Sequence, residues 1–505
     1  MVSCTTSTSV ITECLAPGKE SNEMRQTQQT SQTNASEASD FSGLLRQYYR
    51  SQTVRERMLE FLGGADLEKA TAAYIAGNDG SSDFGEMAPP VYLPQYLGAG
   101  LEIDRSLWDQ DSLIVHVDLE YHNFDYPAAP WQDPERAFRL QQPVLDATLQ
   151  TLGRASIVPL ILVSGRGFHL ICAVRRDSKA FRRLIGLGHV PASLQVRYAQ
   201  PCSPNGLSVD LDLGRAFAGL GLVMEFVWHR VLAGSETSSA LSVQSAAIEV
   251  GPGIHGREII AFDLSEYGDP LHTRRIRVPF SAYLKPRQFE WLLGEEGIRH
   301  LLPIFEIPLS GMNPTQAIIA ARDPDAVLEL SRHASLAIPD ASEPMDKLLD
   351  EYQAAELGAF HDQFYSQLGE LALAPTDTHQ VRIPDAPACV LWLFEHPNDV
   401  LLKPAALQHV ARVLMALGWS PASISQLICT SYLKDCDWGD IWGRLDPYNR
   451  ANFYTRLFAG MIVTGADKLI DFNCVSHQEK GYCMIPECRS NLITYRDMLL
   501  KGRRH

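Results

Sequence analysis

The sequence predicts an α+β protein: a sheet-bearing domain with mixed or antiparallel strands, followed by an all-α C-terminal module suited to a metal ion or cluster. Three observations carry this. Between about residues 90 and 290, short apolar, β-branched runs alternate with helix-period segments. Beyond about residue 385 the periodicity is helical. Cysteines stand at both ends of that helical stretch, Cys389 before it and Cys474, Cys483 and Cys488 after it.

The 505-residue chain is long enough for two or three domains. Its 45% hydrophobic and 21% charged content fits a globular protein. The net charge of −16 argues against a protein that coats polyanions at large. It leaves room for a local basic groove, for which Arg175-Arg176, Arg182-Arg183 and the run Arg274, Arg275, Arg277, Lys285 and Arg287 are candidates. No run looks long and apolar enough for a bilayer span, and no basic start precedes an apolar core, so an intracellular, cytoplasmic protein with no membrane partner is expected. Ten scattered cysteines suit a reducing compartment.

In chain order, residues 1–40 are rich in Ser, Thr, Gln and Asn and are expected to be disordered. Helical spacing begins at Leu44, Leu45, Tyr48 and Tyr49 and again at Val54, Met58, Phe61 and Leu62, with Gly63-Gly64 as a stop. Residues 113–119 read as a buried strand. Asp133-Pro134 opens a helix over about 134–152. Strands at Ile157–Val163 and Phe168–Val174 flank a glycine-bearing turn, and helices follow near 178–187 and 212–232. Glu258–Leu264 is a further strand and Arg275–Pro279 another. Residues 308–384 read as a helical connector broken by Pro, Asp and Ser. The C-terminal module, 385–505, follows, with an apolar stripe at Leu407, Val410, Leu414 and Leu417, a stop at Gly418, and a new start at Ser420-Pro421.

The chemistry centres on Leu113–His122, a strand ending in Asp118 and Glu120. Side chains two apart share a strand face, so these carboxylates point the same way. Two close buried acids repel, and a hard divalent cation, Mg²⁺ or Mn²⁺, is the simplest relief. An isolated Asp-x-Glu more often marks a solvent-exposed strand end. The second signal is Ser164-Gly165-Arg166-Gly167-Phe168-His169 between two apolar strands. Gly165 and Gly167 let backbone approach an anion, and Ser164, Arg166 and His169 offer donors. The plainer alternative is a glycine hairpin with a surface arginine. The third is the strand Ile259–Leu264, with Asp263 as a third metal carboxylate. It is followed by His272-Thr273-Arg274-Arg275-Ile276-Arg277-Val278-Pro279-Phe280-Ser281 and Lys285 as a second anion-binding wall.

The order D-x-E, S-G-R-G-x-H, then a strand Asp followed by basic-x-P-x-S and Lys resembles the archaeo-eukaryotic primase superfamily, over roughly residues 41–290. The resemblance is to the primase small subunit and the related primase-polymerases. It implies a catalytic domain over 41–307 in which Asp118, Glu120 and Asp263 hold two divalent metals. Ser164, Gly165, Arg166 and His169 would contact the phosphates of the incoming nucleotide, and Arg277, Ser281 and Lys285 would line it. The chain departs from the pattern at Tyr283, where many members carry His, and His272 sits off the usual register.

Cys389, Cys474, Cys483 and Cys488, the last three spaced C-x8-C-x4-C, suit Zn²⁺ or an iron–sulfur cluster, or are buried thiols with no ligand. One Cys before a helical module and three after it is similar to the iron–sulfur domain of the primase large subunit, over about 385–495. His477 reads as a loop residue. Tyr448, Arg450, Asn452, Tyr454 and Arg456 interleave rings and charges, a pattern that serves template contact or an ordinary amphipathic helix. The resemblances together imply a DNA primase or primase-polymerase acting on single-stranded DNA and nucleoside triphosphates, with a helicase as a candidate partner. The alternatives are a repair or terminal nucleotidyltransferase and a non-catalytic nucleotide- or nucleic-acid-binding protein.

Overall fold

The computed structural model describes residues 41–81, 85–248, 257–373, 385–434, 436, 438–485 and 487–502. The expected tail over 1–40 and the end of the expected connector, 374–384, lie outside them.

The fold is mixed α+β with two sheets. The strands are β1 (Ile75–Asn78), β2 (Glu86–Ala88), β3 (Glu102–Ser106), β4 (Ser112–Asn123), β5 (Leu160–Val163), β6 (Gly167–Arg175), β7 (Ser242–Gln244), β8 (Glu258–Asp263), β9 (Arg275–Arg277) and β10 (Ile307–Pro308). The smaller sheet runs β2-β1-β3-β9 and the larger β10-β5-β6-β4-β8-β7. Every pairing is antiparallel except β7 with β8. β4 is central to the larger sheet and spans the whole of the expected stretch Leu113–His122, with one further residue at each end.

Helices Pro134–Arg154 and Leu211–Ser235 cover one face of the larger sheet. The first is capped by Asp133, whose side chain accepts from the Arg136 N–H, and Pro134 begins it with a preset φ. Its Phe138 ring meets Phe168 of β6 edge-on, 5.0 Å between centroids. Side chains alternate along a strand, so His169 emerges on the opposite face. That face, turned toward the smaller sheet, carries the site.

Leu211–Ser235 is, among the described residues, the one helix long and apolar enough to cross a membrane by length and composition, although the sequence reading found no such run. Its apolar window is 72% buried within the fold. Mid-helix Glu225 is fully enclosed, ion-paired to Arg456 and hydrogen-bonded to His361 at 3.0 Å. The helix is a core element here.

The first part of the stretch read as a connector packs on the larger sheet and its helices, while its helix Glu356–Leu373 packs mainly on Pro421–Tyr432 and Pro447–Val463. β10 straddles the expected boundary at 307 and pairs with β5. Ala173 of β6 bonds to both Pro339 and Ala341, and Arg183 reaches Asp346 at 3.2 Å and Asp350 at 2.7 Å on helix Ser342–Gln353. A helix-breaking composition read as linker because the short pieces are each too small to show their buried face in sequence.

The C-terminal helices Pro404–Ala416, Pro421–Tyr432 and Pro447–Val463 start at proline, and the latter two are capped by Ser420 and Asp446. The basic–aromatic ladder of the last helix is not an open face. Arg450 and Arg456 are buried. Arg450 pairs with Asp269 at 3.0 Å, and Asn449 donates to the Gly268 carbonyl at 2.9 Å. The ladder packs this helix against Gly268, Asp269 and Glu225, which favours the second of the two readings, an ordinary packed amphipathic helix; Tyr448 alone of its rings is exposed.

Candidate active site and a cysteine–histidine cluster

β4 presents His116, Asp118, Glu120 and His122 on one face, alternating with buried Val117, Leu119 and Tyr121. A second row runs across the sheet. Asp263 of β8 and His169 of β6 are the direct partners of Asp118 on either side. Directly opposed residues point the same way. Asp118 stands where the two rows cross.

The Asp118 side chain is 21% exposed, and its Oδ1 is buried with no hydrogen-bond partner. His169 Nε2 lies 3.6 Å from that atom, while His169 Nδ1 is held by Glu306 at 2.9 Å. Burial, reinforced by the Glu120 charge, pushes the Asp118 pKa up to about 7. For His169, burial disfavours the charged ring, but Glu306 and Asp118 override it and raise its pKa to about 9.

Glu120 is opposed by Gly167 and Ala261, whose small size leaves room above it. Arg166 fills that room. Its Nε donates to Oε1 at 2.7 Å and its Nη2 to Oε2, and His122 Nε2 lies 3.2 Å from Oε2. Burial opposes ionisation of Glu120, yet the Arg166 guanidinium outweighs it and holds the carboxyl well below the usual range. Asp263 Oδ1 accepts from the Ser265 N–H at 2.8 Å, and burial raises its pKa. The three acids therefore lie on neighbouring strands but are not a preformed cage: each has turned to a different neighbour, as repelling carboxylates do.

A cavity of about 190 Å³ opens over this face. His116, Asp118, Glu120 and His169 line it from the larger sheet; Glu102, Asp104, Arg275 and Arg277 line it from the smaller one; Tyr283 and Lys285 complete the wall. Asp104 and Arg277 are direct cross-strand partners. Arg277 Nε donates to Glu102 at 3.0 Å, its Nη1 approaches Glu306 at 3.4 Å, and its Cζ lies 4.4 Å above the Tyr283 ring.

Four of the expected nucleotide-binding residues do other work in this structure. Ser164 Oγ accepts from the Gly167 N–H and donates to the Gly167 carbonyl, both at 3.2 Å, closing the hairpin. Ser281 is fully buried and accepts from the Ile103 N–H at 2.6 Å, pinning the Pro-Phe-Ser turn to β3. Gly165 packs under an aromatic ring, since a Cβ there would lie 2.4 Å from Tyr283. Arg166 pairs with Glu120. The hairpin glycines serve close packing rather than an open approach to an anion. At Gly167 a Cβ would sit 1.8 Å from the Leu119 carbonyl oxygen, a rigid backbone atom. Gly167→Ala is therefore expected to part β4 from β6 and cost about 3 kcal/mol or more in urea unfolding; a loss below about 1 kcal/mol would show that the strands adjust freely.

His116, Glu102, Asp104, Arg275 and Glu306 were not singled out from sequence for this site, although Arg275 fell within a basic run. His116 carried a signal, its alternation with Asp118. Glu306 carried none: it reaches His169 from 137 residues away, just before β10.

In the C-terminal module, Cys389 Sγ lies 3.2 Å from His409 Nε2, and the His409 and His477 rings are 3.9 Å apart. The three donors are buried and lie within 4.8 Å of one another, a cluster that could hold a metal ion; among the described residues no other group of three or more such side chains does this. His477, expected as a loop residue, lies within a short helix, Cys474–Glu479, and its Nε2 is buried without a partner. Burial pushes the Cys389 thiol up to about 12, with smaller contributions from Cys488, Cys483 and Cys474; Cys389 alone of the four expected cysteines joins the histidines in the cluster. Cys474 Sγ accepts from the Leu492 N–H at 3.4 Å. The pKa of His409 lies far below its ordinary value, chiefly through burial, with His477 and the cations Arg412 and Lys480 opposing its protonation.

No protein-family model matches this chain, and no curated protein matches it.

Proposed function

We propose that the chain is a template-directed nucleotidyltransferase, a DNA primase or primase-polymerase, with its reaction centre in the cavity between the two sheets. One observation carries the reading: Asp118, paired across strands with Asp263, leaves a buried carboxylate oxygen without a hydrogen bond beside a cavity walled by Arg277 and Lys285. An uncompensated buried acid of this kind fits a cation. Asp118, Glu120 and Asp263 would hold Mg²⁺ or Mn²⁺, which when bound activates the attacking 3′-hydroxyl and offsets charge on the leaving pyrophosphate.

The chain's own residues supply the rest. Arg277 and Lys285 would counter triphosphate charge, and Arg277, stacked on Tyr283, is fixed in direction. Arg166 would exchange Glu120 for the nucleotide's phosphates, freeing Glu120 for the cation. His169, oriented by Glu306, would donate to a phosphate oxygen. Base choice would come from template pairing. The rival reading, a nucleotide-binding protein without turnover, draws on the Arg166–Glu120 pair and on Tyr283. Incorporation on primed and unprimed single-stranded DNA with Mg²⁺ or Mn²⁺ tests both; binding of nucleotide without any incorporation would favour the rival, and extension without initiation would favour a repair or terminal transferase.

For the C-terminal module we favour a bound metal centre. The four cysteines support an iron–sulfur cluster, and the Cys389–His409–His477 convergence supports Zn²⁺ instead. Anaerobically purified protein should contain iron with acid-labile sulfide in the first case and stoichiometric zinc in the second; finding neither would leave the cluster as packed side chains.

A further inference from the structure

We propose that His116 supplies a nitrogen ligand to the cation at Asp118, and that this biases the site toward Mn²⁺ over Mg²⁺. The inference rests on the cation-binding reading of Asp118 given above and adds a ligand of different chemistry.

His116 lies two residues before Asp118 on the same face of β4 and lines the same cavity. Its side chain is 5% exposed. Nδ1 lies 2.8 Å from Glu266 Oε2, and Nε2 is buried with no hydrogen-bond partner. A carboxylate oxygen accepting from Nδ1 turns the other ring nitrogen, Nε2, away from Glu266, where it is placed to ligate a cation. A carboxylate that orients one ring nitrogen while the other stands free is how proteins prepare a metal-binding imidazole. Two orphaned donor atoms, His116 Nε2 and Asp118 Oδ1, thus belong to neighbouring side chains on one face. His169 repeats the arrangement with Glu306, but its Nε2 already faces Asp118 at 3.6 Å. Mg²⁺ strongly prefers oxygen donors, whereas Mn²⁺ accepts imidazole more readily.

The test is Mn²⁺ titrated into the full-length protein without nucleotide, read by pulsed electron paramagnetic resonance for ¹⁴N coupling and by calorimetry for Mn²⁺ and Mg²⁺ affinity. Wild type should show a directly coupled nitrogen. His116→Ala should lose it, with Mn²⁺ affinity falling ~10–100-fold and Mg²⁺ affinity changing little. If His116→Ala does not fold by circular dichroism, His116→Gln, which keeps a buried polar side chain, is read instead. A ¹⁴N signal that survives in the folded variant overturns the proposal. Asp118→Asn separates the two readings. Mn²⁺ binding that requires Asp118 yet shows no nitrogen in wild type sinks only the His116 ligand. Binding that is absent, or indifferent to Asp118→Asn, sinks the carboxylate site with it.

Discussion

Asp118→Asn is expected to abolish metal-dependent nucleotide incorporation, a fall of at least about 10²–10³-fold in kcat, while leaving the protein folded and at least as stable. The substitution keeps the shape and removes the charge at the crossing of the two rows. Its stability effect has a definite sign. The folded-state pKa of Asp118 lies near 7, above the ordinary 3.8, so the folded protein resists ionising this group. Its contribution falls as pH rises from about 4 to about 7 and stays at its lowest above that. Asparagine has no such slope. Wild type and variant should therefore diverge in melting temperature across that window, with the variant the higher at pH 7. Primer extension beside thermal melts measures both, and undiminished incorporation by the variant would remove Asp118 from the reaction.

Arg456→Met should destabilise the whole chain by about 3–5 kcal/mol. Arg456 and Glu225 are 4% and 1% exposed, and Arg456 also bonds to the Tyr365 hydroxyl. Burial alone would keep Glu225 protonated, but Arg456 and His361 reverse this and hold its pKa below the usual value. Without Arg456 the acid is enclosed with one remaining partner. The damage is the stranded partner rather than the lost attraction, so the double change Glu225→Met with Arg456→Met should recover much of the loss. Urea unfolding of the two single variants and the double measures the coupling. A single-variant loss under about 1 kcal/mol would mean that water already reaches the pair.

The α+β class and the order of elements were legible because the signals are local. Asp133-Pro134, Ser420-Pro421 and Gly418 act within one turn of a helix, and the alternation along β4 declares which side chains share a face. Even Asp263, far along the chain, was marked by an acid breaking an apolar strand. What sequence could not convey is who answers whom across space. Arg166 and Ser164 offer phosphate-binding chemistry in any context; here one neutralises Glu120 and the other closes its own turn. Arg450 and Arg456 looked like a ladder for nucleic acid because the acids that pair with them, Asp269 and Glu225, lie some 180 to 230 residues earlier. His477 shows no ligand spacing with His409, which joins it only through folding.

The docking helix Pro447–Val463 makes the two halves of this chain poor candidates for separate life. A front half expressed alone would leave the Glu225 carboxylate walled in beside a single histidine and would bare the apolar wall that Phe453 now covers at Gly268. Such a fragment should be sticky and acid-seeking, and its catalytic competence would be a poor witness to that of the intact chain.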